Sequence, residues 1–208
     1  MGIFEESELP CAVGESPFRI KGVAYQQTWS ACDRRVGDRA AVLNAIPSAR
    51  GRHFLQQPFL PGSWYDVLPM VWLDAASAKV RELPPAAALR QDSIEHARET
   101  LRGVYRSLLQ VLSNATVASV LPRIINTYYD FCETKVRRTD RTMFHVVVGG
   151  MPSLLKDWYM ISGGAFIEEA LVLAGAKEPS VVWQPTKPTG MRERFALSEL
   201  SSVITWHA

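Results

Sequence analysis

Four histidines, His53, His96, His145 and His207, and three cysteines, Cys11, Cys32 and Cys132, are the side chains best suited to hold a metal or act as nucleophiles. Their spacing argues against both roles. No H-x-x-x-H or H-E-x-x-H pair sets two imidazoles on one helix face, and no C-x-x-C pair sets two thiols at zinc-ligand spacing. The strained G-x-S-x-G elbow, the phosphate-cradling G-x-x-x-x-G-K-[ST] loop and the dinucleotide G-x-G-x-x-G turn are absent. An enzyme of another kind would need Asp157, Glu168 or Glu169 to converge with a histidine or tyrosine, which spacing alone does not establish. What remains is apolar and aromatic. Tyr128 and Tyr129, with Cys132 one turn on, could line a cavity, because tyrosine carries an apolar ring and a polar tip; core packing is the competing use. Gly149-Gly150 and Gly163-Gly164 could admit a ligand close to the backbone, although turns are their commoner use. Lys135, Arg137, Arg138 and Arg141 cluster where a helix gives way to strand chemistry, as a solvated loop or an anion site.

The densest aromatic stretch is "FLPGSWYDVLPMVWLDAASAKV" at residues 59–80. A membrane-spanning helix needs about 20 largely uninterrupted apolar residues. Pro58, Pro61, Gly62, Asp66, Pro69 and Asp74 interrupt this one, so no span is expected. From Ser63 onward the three-and-four spacing of Tyr65, Leu68, Trp72, Ala75 and Ala76 predicts an amphipathic helix capped by Ser63 and kinked or restarted near Pro69.

These side chains need a scaffold. The chain of 208 residues, 47% hydrophobic and 21% charged, has an ordinary globular composition and is long enough to bury about 70% of its unfolded surface. No linker composition divides it, so one domain is expected over 18–208, with 1–17 disordered or extended. A net charge of +2 provides no basic field for nucleic acid. The amino terminus is acidic, lacks an apolar export region and has Glu6 where a myristoylation signal needs Ser or Thr. With the unpaired cysteines, this fits a cytoplasmic setting.

Alternation at Phe18, Ile20, Gly22 and Ala24 predicts a short strand, followed by a helix around Trp29 and Cys32. A short helix follows between Asp38 as N-cap and Pro47 as terminator. "LPPAAALRQ" reads as a connector. Ile94, Ala97, Leu101, Val104, Leu108 and Val111 then predict a long helix from Asp92, whose opposite face, Glu95, Arg98, Glu99, Arg102 and Arg106, reads as solvated. A further helix starts at Pro122. Beyond Lys135 come a turn-linked strand pair or one bent strand, a last helix closing on Gly175, and three short strands "PSVVWQP", "MRERFAL" and "SSVITWH" joined by "TKPTG" and "SEL". The fold class is α+β, with an N-terminal helical portion packed on a C-terminal antiparallel sheet and one long helix inserted.

The strings "IKGVAY" at 20–25, Trp64-Tyr65 with Leu68 and Trp72, "LPRIINTYYD", "GAFIEEALVLAGAKEPSV" and the terminal "ITW" together resemble the Myxococcus paralogous family, a myxobacterial domain of unknown function. That family is similar to the four-vinyl-reductase, haem-NO-binding and transport-particle domains. The resemblance covers most of 18–207. It implies a small-molecule-binding or assembly module, usually regulatory, with an apolar cavity between helices and sheet, and it implies no known enzyme. Two departures matter. With Gly190 set on the glycine of the four-vinyl-reductase pattern E-x-x-C-x-x-x-G-x-x-x-C, Trp183, Thr186 and Arg194 stand where the acid and two cysteines belong. The nearest string to the haem-propionate motif Y-x-S-x-R, "YMISGG", has no arginine in place, which disfavours haem; His96 is the helix histidine that keeps it open. The expected cofactor is none.

Two readings follow. In the first, Trp64, Tyr65, Leu68, Trp72, Tyr128, Tyr129 and Trp158 line a pocket for a small apolar or amphipathic molecule. In the second, the domain is a scaffold that associates with itself or a protein partner.

Overall fold

The computed structural model describes residues 4–102 and 113–207. β1 (Arg19–Lys21) pairs antiparallel with β2 (Trp64–Asp66), Ile20 standing opposite Tyr65. α1 (Gly22–Arg35) starts at the very next residue after β1. α2 (Arg39–Ala45) is capped by Asp38, whose carboxylate accepts from the Ala41 N–H at 2.9 Å. α3 (Ala49–Leu55) is capped by Ser48, whose hydroxyl accepts from the Gly51 N–H at 2.7 Å. α4 (Leu68–Val80) is buried along nearly its whole length, and α5 (Pro85–Arg102) and α6 (Asn114–Asn126) follow.

The second half is built on a five-stranded antiparallel sheet ordered β3 (Glu133–Asp140), β4 (Met143–Pro152), β7 (Phe195–His207), β5 (Lys177–Trp183). β6 (Lys187–Arg192) pairs with the first residues of β7, and β5 with its last. β7 buries Leu200, Ser202, Ile204 and Trp206 on alternate positions, the period expected when one sheet face meets the core. α7 (Lys156–Leu173), inserted between β4 and β5, packs on that sheet: the Trp183 indole donates to the Met160 carbonyl at 3.0 Å, and the Val181 N–H donates to Glu168 at 3.0 Å. The α+β class with an inserted long helix is therefore observed.

Several local expectations change. Trp64–Asp66 is a strand, not the first turn of a helix; it pairs with β1, and the helix begins at Leu68 with Pro69 in its first turn, where no N–H is needed. The "connector" is helical, α5 beginning at Pro85, so Asp92 lies inside the helix and its carboxylate serves Arg81 and Arg35 instead of a cap. α6 begins eight residues before Pro122. Lys135 and its neighbours belong to a turn-linked pair, β3 and β4. "TKPTG" enters β6, and "SEL" lies inside β7; the turn falls at Glu193-Arg194, both at positive φ (47° and 70°), as a two-residue hairpin of the primed type requires. Gly163-Gly164 lies within α7 and is no turn. Val104, Arg106, Leu108 and Val111 lie outside the described residues.

The charged side of α5 is not simply solvated. Glu99 pairs with Arg34 at 2.6 Å, Glu95 with Arg35, and Arg98 with Glu169 at 2.8 Å. α5 packs on α7 and α4, and arginines of α1 reach its acidic residues, so its charges meet neighbours on both flanks. Residues before β1 are also held: Phe4 packs on Trp72, and buried Asp66 accepts from the N–H groups of Gly14 (2.9 Å) and Ser16 (3.2 Å). Among the described residues no helix is long and apolar enough to cross a membrane.

Candidate functional site

A cavity of about 640 Å³ lies among the helices, walled by α1, α4, α5, α6, α7 and the segment leaving α6. No residue of the five-stranded sheet lines it, so it stands one layer away from the helix–sheet interface where the sequence reading put a cavity. Its position follows from local structure. After α6 ends at Asn126, the chain runs beside β1: the Lys21 N–H donates to the Tyr128 carbonyl at 2.9 Å, and the Asp130 N–H to the Arg19 carbonyl at 3.2 Å. That added rung turns the Tyr128-Tyr129 pair to the cavity wall. Opposite, α7 contributes Trp158, Tyr159, Gly163 and Phe166. A Cβ at Gly163 would touch the Tyr159 ring at ordinary contact distance (3.6 Å), so the position accepts a small side chain without strain.

Of the seven residues anticipated as lining, the structure brings Tyr128, Tyr129 and Trp158 together here. The other four lie elsewhere. Trp72 is 1% exposed, stacks near Phe4 and donates its indole N–H to the Phe4 carbonyl at 2.9 Å. Leu68 is equally buried on the same helix. Tyr65 joins an aromatic cluster with Tyr25 and Phe59 on the far side of α1. Trp64 is 43% exposed, with the Lys21 ammonium 3.8 Å above its ring. The nine-residue stretch from Trp64 to Trp72 passes from strand through a bend to helix and cannot present one face, which is why a single helical reading grouped side chains that diverge.

The lining contains residues that apolar spacing did not single out: Asp74, Gln27, Thr100 and His96. Asp74 sits on α4 in the otherwise apolar run from Met70 to Ala76, and a lone carboxylate in such a run was the available signal. It accepts from the Trp158 indole N–H at 2.7 Å. Burial pushes its carboxyl up from the ordinary 3.8 to about 7, against the opposing pull of that hydrogen bond. Burial likewise lowers the His96 imidazole, against a smaller raising effect of Glu99, and the ring leans on Phe166 at 5.7 Å. Burial raises the hydroxyls of Tyr129 and Tyr159 and the Cys132 thiol, which stays a thiol. The other lining carboxylates are paired: Asp92 with Arg35 and Arg81, Glu95 with Arg35, Glu99 with Arg34. Gln27 Oε1 and Thr100 Oγ1 are buried without a hydrogen-bond partner. Asp157, Glu168 and Glu169 do not line the cavity; Glu168 pairs with Arg90 and Glu169 with Arg98. Among the described residues no group of three or more His, Cys, Asp or Glu could hold a metal ion.

No family model matches this sequence, and no curated protein matches it. Solved H-NOX domains do share its fold. A Cs H-NOX carrying 4-cyano-L-phenylalanine at site 5 superposes with a TM-score of 0.65 at 9% identity, over 91% of this chain and 97% of that one. An oxygen-binding H-NOX domain related to soluble guanylate cyclases gives 0.63 at 10%, over 91% and 96%. The Fe(II) unliganded H-NOX protein from K. algicida gives 0.58 at 11%, over 91% and 97%. At such identities the likeness is one of fold. The similarity to haem-NO-binding domains expected from the sequence is shown as a likeness of fold; it does not extend to the Myxococcus family.

Whether haem would suit this cavity turns on two kinds of donor. His96, held neutral by burial, has the chemistry of an axial ligand. The two haem carboxylates would need cations or hydroxyls, and the described lining cations are committed: Lys21 to the Trp64 ring and the Gly62 carbonyl, Arg34 to Glu99. The described lining therefore offers an imidazole and hydroxyls such as that of Thr100, and no uncommitted cation for the haem propionates.

Proposed function

We propose that this chain is a non-enzymatic, sensor-like domain that takes a small apolar or amphipathic molecule into the cavity between α1, α4, α5, α6 and α7. The carrying observation is the cavity itself: about 640 Å³, within the range of small-molecule sites, walled by aromatic rings with a few polar atoms. The shared fold with ligand-binding H-NOX domains supports the same reading. Tyr128, Tyr129 and Trp158 are the contact residues, together with Met70, His96 and Phe166. The scaffold alternative has no comparable observation in its favour, since the edge strand β3 carries Lys135, Arg137 and Arg138, charges that discourage strand pairing.

The test is occupancy. The neutral dye Nile red should bind the folded chain at one saturable site, and native mass spectrometry should find a co-purifying molecule or accept a small amphiphile. Ala31→Phe, which fills the α1 wall, should weaken dye binding about tenfold while circular dichroism stays unchanged. A chain that binds no dye and carries no molecule would refute the reading.

A further inference from the structure

The proposed ligand-binding reading leaves the class of ligand open, and the polar atoms of the lining narrow it. We infer that the cavity selects a molecule with a protonated amine on an apolar body, the ammonium group seated against Asp74 and the aromatic rings beside it. This rests on the cavity being a ligand site, as proposed above.

Three independent features point the same way. First, among the described residues Asp74 is the lining carboxylate without a cationic partner; Asp92, Glu95 and Glu99 are each neutralised by an arginine. A half-buried carboxylate held only by an indole N–H has acceptor capacity to spare, since an ionised carboxylate offers about four lone-pair sites. Second, among the lining residues the atoms buried without a hydrogen-bond partner are Gln27 Oε1, an acceptor, and Thr100 Oγ1, a hydroxyl able to accept as well as donate, so both can receive an ammonium N–H. Third, Trp158, Tyr129 and Tyr159 meet edge to face, Tyr129 lying 6.3 Å from Trp158 and 5.8 Å from Tyr159. Ring faces attract a cation through the quadrupole, and more strongly where water is excluded. An anion finds the opposite conditions, because Lys21 and Arg34 are already engaged. An apolar molecule without a donor would leave Asp74, Gln27 and Thr100 desolvated and unpaired.

The charged and titratable groups facing Asp74 across the cavity are Lys21 of β1, Arg34 of α1, and Asp92, Glu95, His96 and Glu99 of α5. Of these, His96, whose imidazole burial holds below its ordinary 6.5, can also gain charge as pH falls, and the test separates it from Asp74. Isothermal titration calorimetry of the full chain would use decylamine, 1-decanol and decanoate, each below its micellar concentration. At pH 8 decylamine should bind at least about tenfold more tightly than 1-decanol, with decanoate weakest. Decylamine stays cationic across the range, so protonating Asp74 at pH 5.5 should erase most of that preference. Asp74→Asn keeps an oxygen for the Trp158 indole and should bind 1-decanol as before, without the amine preference and without its pH step; a step that survives in the variant would assign it to His96 and overturn the inference. Equal binding of amine and alcohol, or a preference for decanoate, would also overturn it while leaving the cavity reading intact. Failure of all three probes to bind would overturn both.

Discussion

Asp74 is costly where it stands, and its cost has a sign that can be measured. Its folded-state pKa of about 7 lies above the ordinary 3.8 because burial disfavours the anion more than the Trp158 hydrogen bond favours it. Between about pH 4 and 7 the folded chain therefore holds a proton that the unfolded chain has released, and stability falls as pH rises through that window. The Asp74 contribution is least favourable above pH 7. An uncharged isostere escapes the loss: Asp74→Asn should raise the free energy of unfolding at pH 8 by about 2 kcal/mol, with the difference closing toward pH 4. Urea denaturation at the two pH values measures this, and parallel pH profiles for the two proteins would contradict it. A residue that lowers stability in the empty protein and sits on a cavity wall has the signature of a binding group. Helical periodicity did not single it out, because a helix buried on nearly all sides has no polar face to read; the signal lay in composition, one carboxylate within an apolar run.

At the scale of elements, the junction between β1 and α1 controls where the cavity wall begins. Gly22 follows the last residue of β1 without a linker, and its N–H donates to the Ser63 carbonyl at 2.8 Å. A Cβ there would intrude on the Leu60 carbonyl oxygen and come within 2.7 Å of Tyr65 Cε2. The backbone on one side cannot yield cheaply, so Gly22→Ala should cost about 2–4 kcal/mol and lower Tm by roughly 5–12 °C, read by differential scanning calorimetry. An unchanged Tm would mean that the loop at Leu60 is not held as described. The strand-then-helix order around Gly22, the Asp38 cap, the last helix with its Gly175 stop and the antiparallel strands after Lys135 were all legible, because capping, alternation and helical spacing are local signals. Trp64–Asp66 was not. Its helical spacing with Leu68 and Trp72 is real, but pairing with β1, more than forty residues away, outweighs it. The start of α5 at Pro85 was missed for a similar reason, since a proline in a first turn reads as a breaker until the helix behind it is seen. Tyr128, Tyr129 and Trp158 were found as aromatics with polar tips, whereas their meeting depends on a backbone rung beside β1 that no local pattern encodes.

Across the whole molecule, the sheet supplies a rigid backing and the helices hold the cavity, with ion pairs from α5 to α1 and α7 fixing their spacing. Two groups on that cavity wall titrate in opposite senses. Asp74 favours the folded state at low pH; His96 favours it at higher pH, because burial holds its imidazole below the ordinary 6.5. For His96 the unfolded chain takes up a proton first as pH falls through 6.5, so the associated stability is complete above that value and is lost progressively below it, until the folded-state value is passed. Near neutrality the His96 imidazole favours its neutral form while Asp74 is close to half ionised, on a wall that also carries Tyr129, Tyr159 and Trp158. The sign for His96 can be isolated by His96→Gln, which keeps a polar side chain of similar reach and removes the titration. The variant should gain stability relative to the unaltered chain as pH is lowered from 8 to 5, while the two respond in parallel between pH 7 and 8. Denaturant titrations across that range measure the difference directly. If the difference stays constant down to pH 5, His96 is as easily protonated in the folded chain as in the unfolded one, and the cavity beside α5 is open to water.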